Sequence, residues 1–173
     1  AVIGGGSAGV SVASQLRRKM PKSDHGQIAV IEPRDHHLYM PYWTMVGGLG
    51  LDVSNSMQKM EKVMPTDVEW IKEKCLTFQP DRNRITLANG HEIEYDILVV
   101  AAGLQQNFHL VPGLKETMGK NGVASIYSLE FSPKVWQNVQ AINSGKAIFT
   151  NPLTAVNCGG APQKIAYLAE AAW

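Results

Sequence analysis

The chain has 173 residues, 45% apolar and 18% charged, which is enough hydrophobic material for a real core at the size of an ordinary domain. Lys and Arg total 16 against 15 Asp and Glu, and the formal charge of +1 gives no long-range field to hold nucleic acid or an anionic membrane. The longest apolar run, at 97–104, is far short of a membrane span, and collagen, disorder and a disulfide-stapled miniprotein are excluded by the same counts.

The ends carry their own signal. No initiator Met and no charged and apolar leader precede Ala1-Val2-Ile3, and the sequence closes on AYLAEAAW with a helical pattern but no stop signal. The expectation is a piece of a longer protein.

Val2-Ile3 read as a strand entering Gly4-Gly5-Gly6-Ser7-Ala8-Gly9. Val10, Ala13, Leu16 and Met20 follow at helical spacing, and Arg17, Arg18 and Lys19 fall where cations suit the helix macrodipole. Pro21 and Gly26 punctuate, then an apolar strand at 28–31 ends at Glu32. This is one βαβ unit with an acid at the tip of its second strand. His36 and His37 are adjacent and read as loop or surface histidines. Residues 33–66 are aromatic and Met-rich without a clean period, which suits a loop with a packed helix or buried aromatic filler equally.

Residues 68–95 read as a meander of short strands. Pro80-Asp81-Arg82-Asn83 supply one turn and Asn89-Gly90 a two-residue hairpin signal. The run at 97–102, ended by Gly103, reads as a central parallel strand buried on both faces. Ser132-Pro133 read as an N-cap and first helical residue, with Val135, Trp136, Val139 and Ile142 on one face and Gly145 as the stop. Residues 147–150 read as another strand, and Ile165, Leu168, Ala169 and Ala172 as a final amphipathic helix.

Gly4-x-Gly6-x-x-Gly9 between a strand and a helix is the dinucleotide fingerprint: glycines allow the tight turn, the close approach of the pyrophosphate and close helix–strand packing. Glu32, 23 residues after Gly9, is placed to accept hydrogen bonds from ribose hydroxyls and argues against a 2′-phosphate. The first βαβ unit alone does not separate NAD from FAD. The two cysteines, Cys75 and Cys158, are 83 residues apart, and neither has a second Cys or His at metal-ligand spacing. Cys158 stands just before a helix with Pro162 in its first turn, where the dipole stabilises a thiolate; a small buried Cys at a turn is the bland alternative.

The meander, the strand at 97–102 with Gly103, and Pro112-Gly113 resemble the second signature of the two-dinucleotide flavoprotein disulfide reductase superfamily, in which that glycine turn touches the flavin. The cofactor implied is FAD. Where NAD(P)H-dependent members open a second glycine fingerprint, this sequence has Asn151-Pro152-Leu153-Thr154 and no such fingerprint. Asn157-Cys158-Gly159-Gly160-Ala161-Pro162-Gln163-Lys164-Ile165 resembles the first redox-cysteine segment of the sulfide:quinone oxidoreductases, mitochondrial branch. So do Glu32-Pro33, His37-x-Tyr39, Pro41-x-Trp43-Thr44-x-Val46-Gly47 and 68–72.

The resemblance implies an α/β fold: a Rossmann-like FAD-binding domain with a three-stranded β-meander (1–113), then a linker helix and the start of a second Rossmann-like domain (114–173). Gly4, Gly6 and Gly9 with Ser7 and Ala8 would meet the FAD pyrophosphate, Glu32 the adenosine ribose, and Gly103 the flavin. Met40 falls beside the cofactor where close relatives often carry Gln. Cys75 falls at a strand position whose backbone meets the adenine, commonly Val in relatives, so its thiol is expected to be bland.

Cys158 would be one of two catalytic cysteines, bridged by sulfur in the oxidised enzyme. Hydrosulfide attacks one sulfur, leaving a persulfide and a thiolate. Two electrons pass through FAD to ubiquinone, and the sulfane sulfur passes to glutathione, sulfite or cyanide. The resemblance places the second cysteine and the membrane-docking region downstream of Trp173, so residues 1–173 alone are not expected to turn over sulfide. It also implies a peripheral site on the mitochondrial inner membrane. The alternatives are a type II NADH:quinone dehydrogenase-like flavoenzyme and a non-catalytic nucleotide-binding module.

Overall fold

The computed structural model describes all of residues 1–173. In chain order the elements begin with β1 (Val2–Ile3), α1 (Ser7–Lys19), β2 (Ala29–Ile31), β3 (His36–Leu38), α2 (Trp43–Leu49), β4 (Met57–Lys59) and α3 (Met60–Val63). They continue with β5 (Glu69–Ile71), β6 (Cys75–Gln79), β7 (Arg84–Leu87), β8 (Glu92–Glu94), β9 (Val99–Val100), α4 (Leu114–Thr117), α5 (Ser132–Ala141) and α6 (Ala161–Ala172). They gather into two units, Ala1–Leu38 with Met57–Gly103, and Tyr39–Ser56 with Leu104–Trp173.

The first unit is built on a parallel sheet of order β5-β2-β1-β9. Alternation along its short apolar strands sends side chains to opposite faces. Val2 and Val30 pack with Ala13 of α1 and with Ile28, while Ile3 and Ile31 pack with Ile85 and Leu87 of the meander. The sheet is therefore covered by a helix on one face and by the antiparallel sheet β6-β7-β8 on the other. Each Ile or Val buried this completely contributes about 1.5–3 kcal/mol. α1 ends at Met20, whose extended backbone leads into Pro21. The Rossmann-like α/β reading is borne out.

Several local expectations differ. The segment at 69–71 does not belong to the meander but pairs in parallel with β2, Glu69 donating to the Ile28 carbonyl at 2.9 Å. Trp70 adds a tie beyond the ladder: its indole N–H donates to the Glu32 carbonyl at 2.8 Å, a bond that strand propensity does not encode. The Asn89-Gly90 hairpin has a three-residue loop, because Leu87 N–H donates to the His91 carbonyl and Gly90 N–H to the Leu87 carbonyl. Gly90 takes the left-handed conformation (φ 85°) that closes such a loop. The run at 97–102 supplies only β9, at the sheet edge, with Ile97 74% and Val100 60% exposed. An apolar run signals a capacity for burial; it does not supply the neighbouring strand.

The second unit is helical. α2 packs against both α5 and α6. Glycines on α2 make this close approach workable: a Cβ on Gly48 would come within 2.6 Å of the Leu168 side chain, and one on Gly47 within 2.8 Å of Ile126. Trp43 is buried with its indole N–H donating to Ser56 Oγ at 3.0 Å, so the aromatic segment carries a packed helix from Trp43. α6 buries Ala161, Ile165 and Ala169 at four-residue spacing. Ser132 is not the N-cap of α5: it is the first helical residue, its hydroxyl buried without a partner. The N-cap is Phe131, without a side-chain cap, and Ser128 holds the turn before it, its carbonyl accepting Ser132 N–H at 2.9 Å and its hydroxyl accepting Phe131 N–H at 3.3 Å. Residues 147–150 form no strand, and Ile148 is 82% exposed, since a strand exists only where a ladder partner does. No helix is long and apolar enough to cross a membrane.

Candidate functional site

β1, β2 and β9 are parallel and in register, Ile3 opposite Ile31 and Val100. Their carboxyl ends therefore bring Gly4, Glu32 and Ala101 to one edge of the sheet, the edge at which open α/β folds bind ligands. Gly4 (φ 101°) packs so tightly that a Cβ there would overlap the Ala101 carbonyl, and a Cβ on Gly9 would overlap the Gly4 carbonyl oxygen. Around Gly6, by contrast, a Cβ would meet nothing within 4 Å. Gly6 is the N-cap of α1 and carries no capping side chain, and no acid lies in the first turn. The N–H groups of Ser7, Ala8 and Gly9 therefore have neither an intrahelical acceptor nor a capping group, and the helix dipole leaves positive potential beside open space.

Glu32 is fixed from two sides. Its Oε2 accepts the Gly5 N–H at 2.8 Å and its Oε1 the Arg34 N–H at 2.9 Å. Each oxygen keeps a lone pair for a further donor such as a ribose hydroxyl. Gly5 is gripped again through its carbonyl, 3.1 Å from His37 Nδ1. His37 is thus part of the turn and not an ordinary surface histidine; the adjacent His36 is exposed. An uncapped helix start, an open glycine shoulder and an acceptor with free lone pairs fit the pyrophosphate and ribose of a dinucleotide.

Gly103 (φ 73°) follows β9 by three positions at this same edge. Cys75 opens β6, its Sγ 3.7 Å from the Thr77 carbonyl, and burial pushes its thiol pKa up. Met40 and Cys158 belong to the other unit, Met40 at the start of a 3-10 turn (Met40–Tyr42). Both cysteines are free thiols.

Cys158 precedes α6, whose N-cap is Gly160 and whose second residue is Pro162. Its pKa lies below that of an ordinary thiol because the Gly160 N–H and then the Lys164 ammonium, 3.4 Å from Sγ, donate to the sulfur. Its backbone is held as well: the carbonyl accepts the Ala161 N–H at 3.2 Å and the Tyr127 hydroxyl at 2.9 Å, and its N–H donates to the same Tyr127 oxygen at 3.2 Å. A half-buried, electropositive, backbone-anchored thiol is equipped to be a nucleophile or a leaving group. Lys164 lies inside the cysteine segment, but its i, i+6 spacing carries no helical-face signal because Cys158 is outside the helix. Tyr127 lies 31 residues upstream, and nothing in the sequence pattern marks it.

Residues 1–155 match the pyridine nucleotide-disulphide oxidoreductase family. The chain is 43% identical over 171 residues to the mitochondrial sulfide:quinone oxidoreductase of Dictyostelium discoideum and 37% identical over 170 residues to that of Mus musculus. Each alignment takes in 98% of this chain, which spans 37% of the length of each of those curated relatives. The X-ray structure of the sulfide:quinone oxidoreductase from Aquifex aeolicus superposes with a TM-score of 0.61 at 27% identity, over 80% of this chain and 30% of that one. The resemblance carried by the cysteine segment and its companions is borne out. The glycine turn, the acid that answers it and the match across 1–155 agree that the chain belongs to the pyridine nucleotide-disulphide oxidoreductase family of FAD-dependent flavoproteins.

Proposed function

We propose that this chain supplies the FAD-binding turn and one redox cysteine of a sulfide:quinone oxidoreductase, which oxidises hydrogen sulfide and passes the electrons to ubiquinone. The observation that carries the reading is Cys158, held before α6 with Gly160 N–H and Lys164 on its sulfur. A chain that bound a dinucleotide for structural reasons alone would have no use for a thiol kept toward its anion.

Gly4, Gly6, Ser7, Ala8 and Gly9 would hold the FAD pyrophosphate by backbone N–H groups and the α1 dipole, and Glu32 the adenosine ribose. Gly103 would lie against the flavin, Met40 beside the cofactor, and the Cys75 backbone against the adenine. FAD, when bound, supplies a two-electron carrier between the cysteine pair and the quinone. Cys158 takes part as one sulfur of an oxidised cysteine pair bridged by sulfur. Hydrosulfide forms a new S–S bond to one cysteine as the bond from that cysteine to the bridging sulfur breaks, so that cysteine keeps a persulfide while the other leaves as a persulfide anion that retains the bridging sulfur. Lys164 and the Gly160 N–H lower the energy of negative charge on the Cys158 sulfur, which makes that sulfur the better leaving group whenever the bond to it breaks. Over a full turnover hydrogen sulfide, a thiol acceptor and quinone become an acceptor persulfide and quinol. The sulfide sulfur loses two electrons, and the quinone gains two electrons and two protons. Glutathione is the thiol acceptor proposed, with sulfite or cyanide as alternatives. A mitochondrial location, peripheral to the inner membrane, goes with the same reading.

The test is Cys158→Ser in the full-length FAD-loaded protein, assayed for sulfide-dependent and NADH-dependent quinone reduction. The expected result is loss of sulfide oxidation with flavin content retained. Undiminished sulfide oxidation in that variant, or NADH-dependent turnover in the unaltered protein, overturns the reading.

A further inference from the structure

The proposed reaction uses the Cys158 sulfur, the Gly160 N–H and Lys164, and leaves the phenol beside them without a task. Tyr127 is half-buried, and its hydroxyl oxygen makes two bonds to a single residue: it accepts the Cys158 N–H at 3.2 Å and donates to the Cys158 carbonyl at 2.9 Å. The N–H and C=O of one residue face the same way only when the backbone is extended, which is how paired residues exchange two bonds across an antiparallel ladder. One phenol therefore does for Cys158 what a neighbouring strand residue does inside a sheet.

The phenol is itself anchored. Tyr127 N–H donates to Ser125 Oγ at 3.1 Å, and the next residue, Ser128, holds the turn that leads into α5. Ile126 sits against the bare face of Gly47 on α2. From the other side the Cys158 carbonyl also accepts the Ala161 N–H at the start of α6. The backbone of Cys158 is thus tied to the start of one helix and, through Tyr127, to the lead-in of another.

We propose that Tyr127 is a positioning residue for Cys158: by closing on both polar groups of that residue it holds the sulfur in reach of the Gly160 N–H and the Lys164 ammonium. The inference rests on Cys158 being the reacting thiol. Without the phenol the segment between Asn157 and Gly159 has no side chain holding its backbone, and the glycines at 159 and 160 leave it free to turn away. The charged group on the sulfur is Lys164 from α6, and the neutral Tyr127 hydroxyl meets only the Cys158 backbone, so the environment that favours the thiolate is lost through geometry and not through removal of a charge.

The experiment uses the full-length FAD-loaded protein with its cysteine pair reduced and follows alkylation of the Cys158 peptide by mass spectrometry across pH, in parallel with steady-state kinetics of the untreated enzyme. Tyr127→Phe, which keeps the ring and deletes both bonds, is expected to slow Cys158 alkylation at neutral pH by about tenfold, the equivalent of one pKa unit. Its pH midpoint moves upward, and kcat for sulfide falls with flavin content and KM for quinone unchanged. An alkylation profile identical to that of the unaltered protein overturns the proposal. If Tyr127→Phe is recovered poorly, hydrogen exchange of the Cys158 amide in the unaltered protein is the second measurement, because the Tyr127 oxygen accepts that N–H. Protection of that amide is expected, and exchange at the rate of an unprotected amide overturns the proposal. Should Cys158→Ser keep sulfide oxidation while Tyr127→Phe still shifts the alkylation profile, the reaction assignment fails and the positioning role stands.

Discussion

Two helix starts in this molecule solve the same electrostatic problem in opposite ways. α1 begins at Gly6 and α6 at Gly160, both glycine N-caps without a capping side chain and without an acid in the first turn. Each leaves donors and positive potential unanswered. At α1 the chain provides no anion, only open space beside Gly6 and a fixed carboxylate at Glu32. At α6 the chain provides its own anion, the Cys158 sulfur, with Lys164 as a second partner. The first arrangement suits a charged ligand brought from outside, the second a charge that appears and disappears on the protein itself. An uncapped helix N-terminus is thus a general device, and the residue that precedes it decides whether it binds or reacts.

The largest test of this contrast is Gly9→Ala. The added Cβ overlaps the Gly4 carbonyl, so β1 and α1 must separate, at a cost of about 1–3 kcal/mol, and the turn loses its shape. Thermal unfolding should show the drop, and absorbance of the purified protein should show little bound flavin. A variant that melts normally with a full complement of flavin would mean that the close approach has no consequence.

Gly6→Ala sharpens the comparison, because there the Cβ enters space that the protein leaves open. The melting temperature should hold while flavin affinity falls about tenfold, the worth of about one backbone hydrogen bond to a charged group. The same change at the other helix start, Gly160→Ala, is the control. Its Cβ would lie 4.0 Å from the Cys158 sulfur, an ordinary contact, and both flavin content and melting should be unaltered. Equal flavin loss in the two variants would erase the distinction between the two helix starts.

The smallest expected effect is that of Lys164→Gln. Depression of the Cys158 pKa means that the thiolate is already populated at a pH where an ordinary thiol is protonated. Removing the exposed ammonium raises that pKa, so the alkylation rate of Cys158 should rise at higher pH, a few-fold slower at neutrality. Cys75 serves as the internal reference. Burial raises its pKa, so its alkylation should begin at higher pH than that of Cys158 in either protein. A profile for Cys158 that coincides with that of Cys75 would remove the electrostatic distinction between the two thiols.

Much of the first helix start is legible from residue order. A strand, three glycines at fixed offsets, an amphipathic helix and an acid at the end of the next strand each follow from local chemistry, and Glu32 and Gly9 lie where that chemistry places them. Cys158 before Pro162 is legible for the same reason. The contacts that need two distant segments at once are not. Trp70 ties 69–71 to the Glu32 carbonyl, His37 closes on Gly5, and Tyr127 reaches across 31 residues to Cys158. The expected cap of α5, Ser132, is one residue inside the helix, because Ser132 and Ser128 look alike until one is found buried without a partner and the other accepting two N–H groups in the turn before Phe131.

By itself, then, the sequence determined the Rossmann-like α/β class, the dinucleotide turn and the meander, because glycine freedom, apolar periodicity and turn chemistry act within a few residues of one another. Only tertiary structure decided which strand is an edge, whether an apolar run is paired, and which side chains hold the cysteine backbone. Those outcomes depend on a partner being present at hydrogen-bonding distance, and no residue type specifies its partner.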